Sequence, residues 1–121
     1  MIDHYHWVGD NDALRLACQR WKTAPVLAMD TEFVRTETFF AKLGLIQVGL
    51  DGEVWLIDPL AISDWQAFAA VLEDPAILKV FHSLSEDAEV LFNGTGARVA
   101  PVFDTQIAAA LLGNDLQMGF A

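Results

Sequence analysis

Two apolar, partly β-branched runs, Leu43 to Leu50 and Val54-Trp55-Leu56-Ile57, are separated by Asp51-Gly52, and no other stretch limits the possible folds of this chain so sharply. Asp-Gly supplies the positive φ that a tight turn between twisted strands requires, so the segment is predicted to be a β-hairpin. Upstream, Pro25 precedes Val26-Leu27-Ala28-Met29, a short apolar run of the kind a buried central strand shows. Together these make an antiparallel meander of three strands. Before it, Ala13, Leu14, Leu16, Ala17 and Trp21 recur at helical spacing between Asp10 and Trp21, with Asn11, Asp12, Arg15, Gln19 and Arg20 mostly on the other side.

After Asp58-Pro59 closes the meander the period changes. Ser63 is placed to cap a helix through Trp65, Phe68, Ala69 and Leu72, ended by Asp74-Pro75, and Ile77-Leu78-Lys79-Val80-Phe81 reads as a fourth strand. A helix from about Leu84 to Phe92 stops at Asn93-Gly94, Val102-Phe103 is a fifth short strand, and a helix Thr105 to Leu112 ends at Gly113-Asn114. A meander followed by strands joined through helices predicts an α/β architecture with a mixed five-stranded sheet and helices covering its faces. This order resembles the ribonuclease H-like fold.

The 121 residues, 54% of them apolar, suffice for one domain, residues 1–121, around one core. No basic start followed by an apolar run lies near Met1 and no stretch approaches a bilayer-spanning length, which predicts a soluble protein with no membrane partner. Cys18 is the single cysteine, so neither an internal disulfide nor a cysteine zinc cluster can form, and a reducing, cytoplasmic compartment is expected. The formal charge of −10 weighs against tight non-specific binding of a polyanion. Either metal ions neutralise a clustered part of that charge, or basic elements lie beyond Ala121. The stretch Asp115 to Ala121 carries no helix stop, and the domain is expected to be truncated there, without its C-terminal helices.

Asp30-Thr31-Glu32 follows an apolar strand directly, and residues two apart point to the same face of a sheet. Two carboxylates held that close repel unless a cation lies between them, and hard oxygen donors suit magnesium or manganese. Taken alone the pattern also fits a solvated strand end. Asp87 adds a third acid. On its helix Leu84, Ala88 and Leu91 form the inward stripe and Asp87 falls at its edge, whereas Glu86 and Glu89 point outward. A carboxylate turned towards a sheet is costly unless paired or bound to metal. The preceding strand is expected beside Val26 to Met29, which would bring Asp87 to Asp30 and Glu32 in one site.

Met29-Asp30-Thr31-Glu32-Phe33-Val34-Arg35-Thr36, Leu43-Gly44-Leu45-Ile46-Gln47, Leu56-Ile57-Asp58-Pro59, His82-Ser83-Leu84-Ser85-Glu86-Asp87 and Phe103-Asp104-Thr105-Gln106 fall in one order along nearly the whole chain. In this series the chain resembles ribonuclease D, of the tyrosine-type branch of the DEDD 3′-5′ exonuclease superfamily. The resemblance implies a phosphodiesterase using two Mg2+ or Mn2+ ions, with Asp30 contacting both, Glu32 holding the ion that activates water and Asp87 supporting the other. It implies release of nucleotides from single-stranded RNA 3′ ends, transfer RNA precursors among the substrates. Candidate substrate contacts are Arg35, Phe33 and His82. Phe39-Phe40 would either stack on a 3′ end beside Arg35 or pack into the core.

The family's last motif, a Tyr followed four residues later by an Asp, is absent: Tyr5 is the only tyrosine, and Gly9 stands four residues on. This chain alone is therefore expected to be inactive or nearly so, with its metal site empty or singly occupied. His82 and Asp87, five apart, mimic the closing motif of the histidine branch but stand in the wrong order for it. Asp104 fits an N-cap, and His4 and His6 belong to a frayed terminus without further ligands. The rival functions are a DNA exonuclease on the same scaffold and a non-catalytic binding module. Self-association through a face left uncovered by missing helices is a third expectation.

Overall fold

The computed structural model describes residues 5–35, 41–82 and 84–105. Their elements run β1 (Tyr5–Val8), α1 (Asn11–Trp21), β2 (Val26–Arg35), β3 (Ala41–Leu50), β4 (Glu53–Ile57), a 3-10 turn (Pro59–Ala61), α2 (Gln66–Glu73), β5 (Leu78–Phe81), α3 (Leu84–Thr95) and β6 (Val102–Asp104). The sheet is mixed, in the order β1-β4-β3-β2-β5-β6. Strands β2, β3 and β4 form the antiparallel meander, turning at Asp51 and Gly52, both with positive φ. Strands β5 and β6 add in parallel beside β2. This is the ribonuclease H-like arrangement read from the sequence, with one strand more than the five expected.

The sixth strand is β1, which pairs in parallel with β4 from Tyr5↔Val54 to Val8↔Ile57. The expectation of a frayed terminus at His6 is thereby corrected. The His6 ring stacks on Trp55 at 4.9 Å between centroids, and its Nε2 lies 2.9 Å from Glu53 Oε1. Glu53 accepts from Arg20 as well, at 2.7 Å, and these two partners hold its carboxyl below the usual range. Thus β1 is held by pairing and by side chains from β4, one of which is itself bonded to Arg20 of α1.

One core unites the sheet and its helices. Leu27 and Met29 of β2, Ile46 and Val48 of β3, Trp55 and Ile57 of β4 and Phe81 of β5 meet Leu14, Cys18 and Trp21 of α1, Phe68 and Leu72 of α2, and Leu91 of α3. Trp21 packs edge-on against both Trp55 and Phe68. Burial pushes the Cys18 thiol up to about 12, so it behaves as a small apolar group. Among the described residues no helix is long and apolar enough to cross a membrane.

Local signals held in part. Asp10 caps α1, its Oδ1 accepting from Ala13 N at 2.7 Å. Ser63 does not cap α2: Trp65 occupies that position without a side-chain cap, and the Ser63 hydroxyl accepts from Asn11 instead. Helix α3 passes the predicted stop at Asn93-Gly94 and ends at Thr95, and the φ of +79° at the following Gly96 supplies the left-handed turn. Gly94 serves close approach, because a Cβ there would lie 3.0 Å from Leu43 Cδ2 of β3. The segments Thr105 to Leu112, beyond its first residue, and Asp115 to Ala121 lie outside the described residues.

Candidate active site

The Asp-Thr-Glu segment lies within β2 and not at its end, since the strand continues to Arg35. Strand alternation sends Leu27, Met29 and Thr31 into the helix-covered core and leaves Ala28, Asp30 and Glu32 exposed on the other face. Asp30 stands opposite Gln47 and Glu32 opposite Leu45; the register then slips, so that Phe33 faces Leu43 and Gly44 has no opposite number. This bulge bends the ladder immediately beside Glu32. A hollow of about 180 Å³ lined by Ala28, Asp30, Gln47, Gly49 and Val54 opens next to Asp30. A larger hollow, about 580 Å³, is lined by Arg20, Pro25, Val26 and the Asp51-Gly52 turn and does not touch the carboxylates.

Asp87 is in the first turn of α3, whose strand β5 runs beside β2 as expected. It is 5% exposed, while Glu86 and Glu89 are exposed. The Thr31 hydroxyl donates to Asp87 Oδ1 at 2.5 Å, and the Thr31 amide donates to Asp30 Oδ1 at 2.9 Å. One residue therefore touches two of the acids. Burial above all, with the charges of Asp30, Glu86 and Glu32, pushes Asp87 up to about 6, against the lowering effect of the Thr31 hydrogen bond. Asp87 thus lies within electrostatic reach of Asp30 and Glu32.

These donors fit a hard divalent cation: all are carboxylate oxygens, and the repulsion acting on Asp87 is of the kind a cation relieves. The three acids come within electrostatic reach of one another but not into the single cluster expected. Asp30 and Glu32 lie on the open face while Asp87 is tied to the inward-facing Thr31, and among the described residues no group of three His, Cys, Asp or Glu forms a ready-made metal cage. Sequence spacing pointed to all three acids but missed Thr31. Its signal was available, because the middle residue of a strand triplet faces away from the outer two.

His82 follows β5, exposed, with Nδ1 2.9 Å from Thr105 Oγ1, a hydroxyl that also lies 3.2 Å from Phe81 O. Phe33 is half-buried beside the bulge. Arg35 ends β2, but its side chain lies outside the described residues, as do Phe39, Phe40 and His4. Asp104 closes β6 and pairs in register with Phe81, and the helix it was expected to cap is outside the described residues.

The profile of a 3′-5′ exonuclease family matches residues 5–121. The chain is 50% identical over 115 residues to ribonuclease D of Pseudomonas paraeruginosa, covering 95% of this chain and 31% of that protein. It is 47% identical over 119 residues to ribonuclease D of Escherichia coli, covering 98% and 32%. The crystal structure of Escherichia coli RNase D, described as an exoribonuclease involved in structured RNA processing, superposes with a TM-score of 0.92 at 45% identity, covering 98% of this chain and 32% of that one. Trypanosoma brucei RNase D in complex with RNA U12 superposes with a TM-score of 0.74 at 25% identity, covering 88% and 39%. The chain spans about a third of the length of the curated relatives it matches. By sequence profile, sequence identity and fold alike, it belongs to the 3′-5′ exonuclease family and within that family is similar to ribonuclease D.

Proposed function

We propose that this chain carries the metal-binding carboxylates of a 3′-to-5′ exoribonuclease, with Asp30, Glu32 and Asp87 as ligands to Mg2+ or Mn2+. The observation that carries the reading is the disposition of the acids: two exposed on one face of the central strand, and a third, buried, repelled by both. When bound, a pair of divalent ions supplies a water of lowered pKa and charge stabilisation at the departing 3′ oxygen. Asp30 and Glu32 set the position of that chemistry on the open face. Asp87 is held in reserve by Thr31, with one carboxylate oxygen engaged.

The substrate we infer is a single-stranded RNA 3′ end, transfer RNA precursors among the parent molecules. The reading is supported by the similarity to an exoribonuclease that processes structured RNA and to a relative crystallised with RNA. A cytoplasmic setting is in keeping with the lone, buried Cys18. The 121 residues contain no Tyr-x-x-x-Asp, and we expect them by themselves to hydrolyse RNA little or not at all, with at most one ion bound.

A chimera tests both parts: residues 5–121 exchanged for the matching third of Escherichia coli ribonuclease D, assayed for Mg2+-dependent release of nucleotides from 5′-labelled RNA. The chimera should shorten RNA stepwise from the 3′ end, Asp30→Ala in it should lower the rate by at least about 100-fold, and the 121-residue chain should be near background. An active chimera indifferent to Asp30→Ala would refute the site.

A further inference from the structure

Among the described residues Thr31 is the one that hydrogen-bonds to two of the proposed ligands, Asp30 and Asp87. Its side chain points into the core, opposite to Asp30 and Glu32, and is 5% exposed. Its hydroxyl has one proton, given to Asp87 Oδ1 at 2.5 Å, a contact joining residues on β2 and α3 across 56 positions of sequence. Its amide proton goes to Asp30 Oδ1 at 2.9 Å. A buried carboxylate rotates about two side-chain torsions unless something holds it, and no other hydrogen-bonding partner of Asp87 is found among the described residues. The same contact fixes the first turn of α3 against β2 at the level of the paired acids.

From this geometry we infer that Thr31 is a positioning residue. Its hydroxyl fixes the orientation of Asp87, and its amide that of Asp30, so that the two carboxylates are held in a fixed relation to one another. Valine, which has the same shape and the same strand preference, would keep the packing and lose the hydroxyl. Serine would keep the hydroxyl and lose a methyl group. The inference rests on the metal-site reading given above, and its test separates the two.

Mn2+ binding to the purified protein is measured by electron paramagnetic resonance, which reports both affinity and ligand symmetry, for the unaltered chain, Thr31→Val, Thr31→Ser, Thr31→Ala and Asp30→Asn. Thr31→Val and Thr31→Ala should weaken Mn2+ binding by about 10-fold, the lower end of what loss of an outer-shell partner does, and broaden the bound-ion signal. Thr31→Ser should bind as the unaltered chain does. The serine and alanine pair reads the hydroxyl alone should Thr31→Val fold poorly. Thr31→Ala binding as tightly as the unaltered chain, while Asp30→Asn loses the ion, would overturn the role of Thr31 and leave the metal site standing. Thr31→Ser falling with Thr31→Ala would also overturn it, since the methyl group would then be what matters. Mn2+ binding that survives Asp30→Asn would overturn the inference together with the metal-site reading.

Discussion

Lys79 and Asp87 are both buried charged residues, yet their surroundings differ in kind. Lys79 of β5 is fully enclosed, and its Nζ donates to Asp74 O at 2.7 Å and Ala100 O at 2.8 Å, tying the turn after α2 to the segment before β6. Burial pulls its pKa below the ordinary lysine value, and the nearby Asp74 partly restores it. Among the described residues Asp87 has a single hydrogen bond, from Thr31, and like charges at Asp30, Glu86 and Glu32. A buried ion with satisfied valences pins a fold together. One surrounded by its own sign is maintained at a cost to stability, and a bound cation is what removes that cost.

Opposite signs on mutation sharpen the contrast. Lys79→Met keeps the volume but takes the donor from two part-buried carbonyls, and it should destabilise the protein by about 1–3 kcal/mol in urea unfolding at neutral pH. A loss below about 1 kcal/mol would show the two carbonyls re-satisfied by water and the contrast overdrawn. Asp87→Asn should instead stabilise the metal-free protein at pH 8, by about 1 kcal/mol once solvent screening is allowed for.

The pH dependence carries the same distinction. The folded pKa of Asp87, about 6, lies above its ordinary value of 3.8, so the folded state holds the proton more tightly than the unfolded chain does. The contribution of Asp87 to stability is then complete below the ordinary value and is lost as pH rises through about 6. From pH 4.5 to pH 7.5 the unaltered protein should therefore lose stability relative to Asp87→Asn. An equal change in both would place the proton elsewhere. A smaller effect concerns the end of α3: Gly96 holds a φ of +79°, and Gly96→Ala should cost about 1 kcal/mol in the same assay.

Much of this was legible in the sequence because its signals are local. The Asp51-Gly52 turn fixed the hairpin, alternation put Asp30 and Glu32 on one face, and helical spacing turned Asp87 inward. What escaped depends on partners distant in sequence. The four residues of β1 show no apolar alternation, three of them being exposed, and the strand exists through its pairing with β4 and the contacts of His6 with Glu53 and Trp55. Gly94 looked like a helix stop because glycine serves both ends and close approaches, and only the neighbouring Leu43 decides which. The role of Thr31 was hidden between two acids that drew the eye, although the period-2 rule already aimed it at the helices.

The stability order of the unaltered protein and Asp87→Asn, measured at pH 8 with and without saturating Mg2+ or Mn2+, tests the central claim most directly. Without the ion Asp87→Asn should be the more stable; with the ion the order should reverse, because a ligand stabilises only the state that binds it. If Asp87→Asn stays the more stable by the same margin in both conditions, Asp87 does not serve a cation and the metal-centred account is wrong.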